Sequence, residues 1–237
     1  MKLVRRISGP LFSIALAVCG SLLSLSCGDS STSPGATLKV FDAAADFSST
    51  TNSSSSTWSY RYQNGSTRDG NYPLIPAYGP DAVDTWIPSD PGSWRVDRYL
   101  PAIGVNRTGG DVTIDDRTIG TLVIWQRGTM LVHPGSDQLV VLSWLSPSAA
   151  TVTISFSFAN VHVAVCEPGD GIEWFIDQNS DAATTLSTGS VDRGGSTGSR
   201  TLSGVHVRAG DRINFIVGRR SNFLCDSTQL TATITTS

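Results

Sequence analysis

Glutamate is almost missing from this chain: Glu167 and Glu173 are the only two. Glycoside hydrolysis needs two carboxylates facing one cleft, so a glycan-active hydrolase would have to draw on aspartates. The two glutamates read as solvated loop and strand-face residues. No Gly-x-Ser-x-Gly elbow occurs. Gly28-Asp29-Ser30-Ser31 offers a serine only in a polar segment, where nothing holds a nucleophile rigidly beside a base. Histidine occurs three times, at His133, His162 and His206. His162 and His206 alternate with valines and are expected to face outward from strands, and His133 opens a turn in which imidazole can hydrogen-bond backbone. No window of a dozen residues carries an apolar stripe of helical period, which excludes helical layers. Cysteine is scarce too, with four residues and no Cys-x-x-Cys pair.

What is present begins with the first 27 residues. Lys2, Arg5 and Arg6 form a charged front, an apolar run extends from Leu11 to Leu25, and Cys27 stands before the polar string GDSSTSP. This arrangement resembles a bacterial lipoprotein signal, in which cleavage precedes a lipidated cysteine that follows small residues. Ser26 fits that rule, whereas Cys19 follows bulky Val18 and fits less well. The alternatives are an ordinary cleaved signal or an N-terminal anchor helix, although the run is short and Ser/Gly-broken for a membrane span. The resemblance implies a lipid-anchored protein of the bacterial cell envelope, at the outer membrane, with the membrane itself as one partner.

Loss of residues 1–26 removes three basic groups and no acids, shifting the formal charge from −3 to −6. That balance argues against nucleic acid and anionic headgroups as partners. Residues 27–37 read as the lipidated cysteine and a flexible tether of Ser, Thr, Gly and Pro. Residues 38–237 read as a single domain. The mature thiols Cys166 and Cys225 would meet an oxidising compartment, so a disulfide between them is the economical reading, with a metal pair as the alternative.

Strand periodicity dominates the second half. Val152, Ile154, Phe156 and Phe158 alternate with Thr and Ser, and similar alternation recurs at 140–144, 161–165, 172–176, 213–217 and 230–234. Turn chemistry such as Pro168-Gly169-Asp170-Gly171 and Ala209-Gly210-Asp211 separates the runs. Many short strands without helical crossovers predict an all-β, antiparallel two-sheet β-sandwich of jelly-roll type. Trp58, Trp144 and Trp174 alternate with apolar strand positions and are expected in the core. Ser48–Thr57 reads as a surface loop inside the domain.

Segments FDAAADFS (41–48), WSYRY (58–62), MLVHPG (130–135), VVLSWLSP (140–147), SFSF (155–158), VRAGDRINFIVG (207–218) and CDSTQLTATI (225–234) resemble secreted bacterial galactose-binding-like and carbohydrate-binding modules. Such sandwiches often hold a structural calcium between first and last strands, and Asp42, Asp46 and Asp226 occupy those segments here. A second oxygen-rich loop, Asp177-Gln178-Asn179-Ser180-Asp181, lacks the Gly and Glu of a calcium loop at its later positions and reads as a plain polar hairpin.

All five tyrosines and three of six tryptophans lie between residues 58 and 99, among prolines. Sugar rings present apolar faces that stack on Trp and Tyr, so Trp86 and Trp94, with Tyr78 and Arg95 as neighbours, are candidate glycan-binding residues; core packing is the other reading of both tryptophans. The functional expectation is a non-catalytic module binding carbohydrate or a surface polymer. The alternative is a structural or adhesive module binding a surface protein.

Overall fold

In a computed structural model the described residues are 38–70, 72–76, 79–80, 84–86, 100–116, 121–162, 166, 169–179 and 184–236. The longest strand, β10 (Ala150–Asn160), shows how the sequence builds the fold. Val152, Ile154, Phe156 and Phe158 are buried while the Thr and Ser between them stay partly exposed. Side chains alternate across a strand, so one face of β10 must find an apolar partner and the other meets water.

The chain runs through β1 (Lys39–Asp42), β2 (Trp58–Asn64), β3 (Gly79–Pro80), β4 (Asp84–Trp86), β5 (Ala102–Val105), β6 (Val112–Asp116), β7 (Thr121–Trp125), β8 (Met130–His133) and β9 (Gln138–Leu145) before β10. After it come β11 (Ile172–Gln178), β12 (Thr185–Val191), β13 (Arg200–Val207), β14 (Arg212–Arg219) and β15 (Thr228–Thr236). They form an eight-stranded sheet, β13-β10-β15-β8-β5-β4-β3 with β1 also on β15, and a five-stranded sheet, β12-β11-β14-β9-β2. A separate hairpin joins β6 to β7. All strand pairs among the described residues are antiparallel, and the two larger sheets pack as a jelly-roll sandwich.

The inner faces share one aromatic core. Trp174 on β11 stacks on Phe158 of β10 at 5.2 Å between centroids, and Trp144 on β9 meets Phe41 of β1 edge-on at 5.3 Å. Trp58, Trp144 and Trp174 are all buried. Gly189, opposite Trp174 in β12, makes room for the indole, since a Cβ there would lie 2.7 Å from the ring. Gly171 opens β11 at φ +89°, where its missing Cβ avoids the Val191 carbonyl.

The 48–57 loop lies at the surface and is anchored to the sandwich through Asn52. Asn52 donates to the carbonyls of Tyr60 and Ile75 and accepts from the Tyr60 amide. His162 corrects the sequence expectation. It is buried, at 8% exposure, because the chain beyond β10 keeps the phase set by Phe156 and Phe158, so that Asn160 and His162 fall on the inner side. Strand geometry also ends at Asn160, with His162 making only an isolated bridge to Val123.

Candidate functional site

The sheet order leaves a notch along β15. Its first residues pair with β8 and its last with β1, so Thr231 and Ala232 lie between the two partners. An open cleft of about 540 Å³ occupies this notch, lined by Asp42, Arg107, Thr129, Met130, Thr231 and Ala232 among others. Arg107 reaches back to the Phe47 carbonyl and lies 5.5 Å from the Phe47 ring centroid. A second recess of about 490 Å³ shares the β1 segment and is lined partly by Lys39, Asp46, Ser48 and Thr57.

Beside the notch, the outer face of the eight-stranded sheet is a field of hydroxyls. Thr153 pairs with Thr235, Ser155 with Thr233 and Ser157 with Thr231, and Ser155 also faces Thr201 of β13. Neither β10 nor β15 carries a charged residue. Such a surface offers donors and acceptors at a spacing fixed by the sheet. Asp42, paired in register with Thr233, brings a carboxylate to its margin.

The other outer face is closed. One register row crosses all five strands of the smaller sheet with polar side chains: Ser59, Ser143, Asn214, Asp177 and Thr185. The first four are 2% exposed or less. Residues after β2 cross this face. Arg68 pairs with the Asp177 carboxylate at 2.6 Å and lies 3.9 Å over the Phe175 ring, while Tyr72 packs on Leu139, Val141 and Ile216. A buried carboxylate requires such a partner.

Next to this crossing segment stand two arginines. Arg61 Nε donates to Ser59 Oγ at 2.9 Å and Arg61 Nη1 to the Tyr72 carbonyl at 2.7 Å. Arg212 Nη1 donates to the same Ser59 Oγ at 3.3 Å and to Ser143 Oγ at 3.2 Å, and its Nη2 donates to the Ser54 carbonyl. Sharing one acceptor keeps the donor nitrogens within about 6 Å of each other, a separation at which like charges repel by about 3 kcal/mol at an effective dielectric of 20. Burial and the neighbouring Arg212 push the Arg61 guanidinium down to about 10, and burial lowers Arg212 as well. Among the described residues no carboxylate pairs with either one.

At the end of the sandwich Cys166 and Cys225 form a disulfide with Cα atoms 6.1 Å apart. Closing a loop of this length stabilises the fold by about 4 kcal/mol in the chain-entropy account. His162 brings a ring nitrogen within 4.8 Å of both sulfurs, a proximity hidden from the cysteine spacing. Its Nε2 accepts the Ser227 amide, and burial, with His133 beside it, pushes its pKa down to about 4. His133 Nδ1 donates to the Pro134 carbonyl, as the turn reading expects. His206 is exposed on β13.

The three aspartates expected to share a calcium do not meet. Asp42 accepts the amides of Ala44 and Ala45, and Asp46 accepts those of Asp42 and the Trp58 indole. Asp226 precedes β15 at its opposite end, roughly 20 Å along the strand from the Asp42 register position. These residues therefore do not fit one cation. Asp226 is fully buried and neither of its carboxylate oxygens has a partner; burial first, then nearby Asp170, pushes its pKa up to about 8.

Among the described residues Asp137 and Glu173 line one recess, whose volume of about 20 Å³ has room for about one water and none for a sugar ring. Among the described residues Asp42 is the sole carboxylate lining the large cleft. Of the aromatic candidates, Trp86 has its backbone paired with Ile103 on β4. Its side chain, together with Tyr78, Trp94 and Arg95, lies outside the described residues, as does Cys27. Sequence reasoning missed the arginine pair, because Arg61 and Arg212 are brought together only by the strand order.

No family model matches the chain, and no curated protein matches it. Solved structures similar to it include TmCBM61 in complex with β-1,4-galactotriose, at 12% identity over 54% of this chain and 90% of that one, with a TM-score of 0.32. A family 29 carbohydrate-binding module is similar at 16% identity over 77% of this chain and 92% of that one, with a TM-score of 0.31. The K3 cleaved adhesin domain of Lys-gingipain from Porphyromonas gingivalis is similar at 13% identity over 68% and 94%, with a TM-score of 0.28.

Proposed function

We propose that this protein is a non-catalytic polysaccharide-binding lipoprotein of the bacterial cell envelope, tethered through Cys27. The observation that carries the binding reading is the cleft of about 540 Å³ at the β15 notch, continuous through Thr231 with a hydroxyl-covered sheet face. Its size lies in the range of small-ligand sites, and Asp42, Arg107, Thr129 and Thr231 supply both donors and acceptors for sugar hydroxyls. Trp86 and Trp94, with Tyr78 and Arg95, are the stacking and hydrogen-bonding residues that the sequence offers to such a ligand. No metal is assigned to Asp42, Asp46 and Asp226 together.

A glycan-array screen of the full-length protein tests this reading, with Thr231→Trp as the blocking variant. Thr231 is exposed, so an indole there fills the cleft and leaves the core intact. Binding of at least one neutral polysaccharide, weakened tenfold or more by Thr231→Trp and by Trp86→Ala or Trp94→Ala, supports it. No binding across the array overturns it. Cys27→Ser should release the protein from the membrane fraction, and unchanged fatty-acid labelling would refute the anchor.

A second reading, a protein-binding adhesive module, draws on Leu38, just before β1, and Val40 within it, which are 64% and 59% exposed. Apolar side chains at a strand edge with this exposure suit a protein partner. Retention of a protein ligand that Leu38→Ser and Val40→Ser abolish would favour it.

A further inference from the structure

We propose that Arg61 and Arg212 form a subsite for an oxyanion, the carboxylate or sulfate group of an acidic polysaccharide. The inference rests on the polysaccharide-binding reading and names a ligand class for a different face of the molecule. Two guanidiniums converge on one hydroxyl, Ser59 Oγ, from adjacent positions over the polar row of the five-stranded sheet. Both are half-buried, and every described acceptor they contact is neutral: two serine hydroxyls and two backbone carbonyls.

The five hydrogen bonds that hold the two guanidiniums go to uncharged groups and leave both charges unneutralised. The nearest ion pair on the same face, Arg68 with Asp177, shows how the chain neutralises a charge when neutralisation comes from within. Arg61 and Arg212 are left without that provision, although the chain as a whole is acidic. Each guanidinium has five N–H groups; the bonds above commit two on Arg61 and three on Arg212. The rest are donors in the planar geometry that grips carboxylate or sulfate oxygens. An anion between the two would replace mutual repulsion with two charge-assisted contacts.

The hydroxyl face on the other sheet has no cation on β10 or β15 to rival this pair.

Affinity electrophoresis of the full-length protein through gels containing polygalacturonate, dextran sulfate or a neutral galactan tests the proposal. Retention by either acidic polymer, reduced at least tenfold by Arg61→Gln and Arg212→Gln, is the expected result, and the polymer that retards the chain identifies carboxylate or sulfate as the source. The neutral galactan reports on the cleft and should be unaffected by both variants. Arg61→Gln removes two bonds where Arg212→Gln removes three, so it keeps the test open if the latter fails to fold. Its melting temperature without ligand should equal or exceed that of the wild type, whereas a purely structural arginine would lower it. Absence of retention by both acidic polymers, or retention untouched by Arg61→Gln, overturns the subsite. Retention by galactan in that case leaves the cleft reading standing, and loss of retention on all three polymers removes both.

Discussion

The two outer faces of this sandwich differ more than its two inner ones. Inside, both sheets contribute large aromatics to one continuous core. Outside, the eight-stranded sheet presents paired threonines and serines and an open notch, while the five-stranded sheet is crossed by its own chain and holds its polar row almost wholly away from water. Hydroxyls on an open face keep their hydration and need no internal partner. A charge beneath a covering segment must be matched, as Asp177 is by Arg68; beside that segment, at the half-buried Arg61 and Arg212, no described carboxylate does so, and an external anion is the economical explanation.

Removing the match on the closed face should have the largest effect. Arg68→Ala leaves Asp177 buried at 3% side-chain exposure without its ion pair and releases the segment that covers Leu139, Val141 and Ile216. A loss of about 3–5 kcal/mol in urea unfolding is expected. A loss under about 1 kcal/mol would show that the face is not closed by this contact.

Asp226 sharpens the contrast, being a buried carboxylate with no partner at all. Its pKa rises from the ordinary 3.8 to about 8, so between those pH values the unfolded chain releases a proton that the folded chain keeps. Stability from this group is therefore fully present below pH 3.8 and lost as pH rises toward 8. Asp226→Asn should stabilise the protein at pH 8, on the order of 3 kcal/mol, and change little at pH 4. Equal melting shifts at both pH values would contradict the unpaired carboxylate. His162 works in the opposite direction: its pKa near 4 makes its contribution present above pH 6.5 and lost as pH falls through the folded value. His162→Gln should therefore flatten the acid limb of the melting profile between pH 6.5 and 4, and a slope identical to the wild type's would show that this histidine does not supply it.

The smallest effect belongs to the open face. Thr233→Val and Ser155→Ala should each change stability by less than about 0.5 kcal/mol, as surface substitutions do away from caps, charges and cavities. A loss of 2 kcal/mol or more would mean that the hydroxyl ladder is structural.

Much of the sandwich is legible in local patterns. The phase of Val152, Ile154, Phe156 and Phe158 gives β10 its buried face, and the same rule places Trp144 and Trp174 in the core. Cys166 and Cys225 could be paired from compartment and count alone. What the chain hides is register. Ser59, Ser143, Asn214, Asp177 and Thr185 become one row only when five strands, distant in sequence, align. The same blindness placed Asp226 with Asp42, since neighbouring strands do not reveal which end of β15 each aspartate occupies. His162 failed for a smaller reason, the continuation of strand phase past the last ladder residue, Asn160.

The most direct test of two functionally distinct faces sets Thr231→Trp beside Arg61→Gln in neutral-galactan and polygalacturonate gels. The account predicts that Thr231→Trp abolishes retention by the neutral polymer while Arg61→Gln abolishes retention by the acidic one, each leaving the other intact. If both variants lose both polymers in parallel, or neither loses either, the division between an open sugar-binding face and a closed anion-binding face is contradicted.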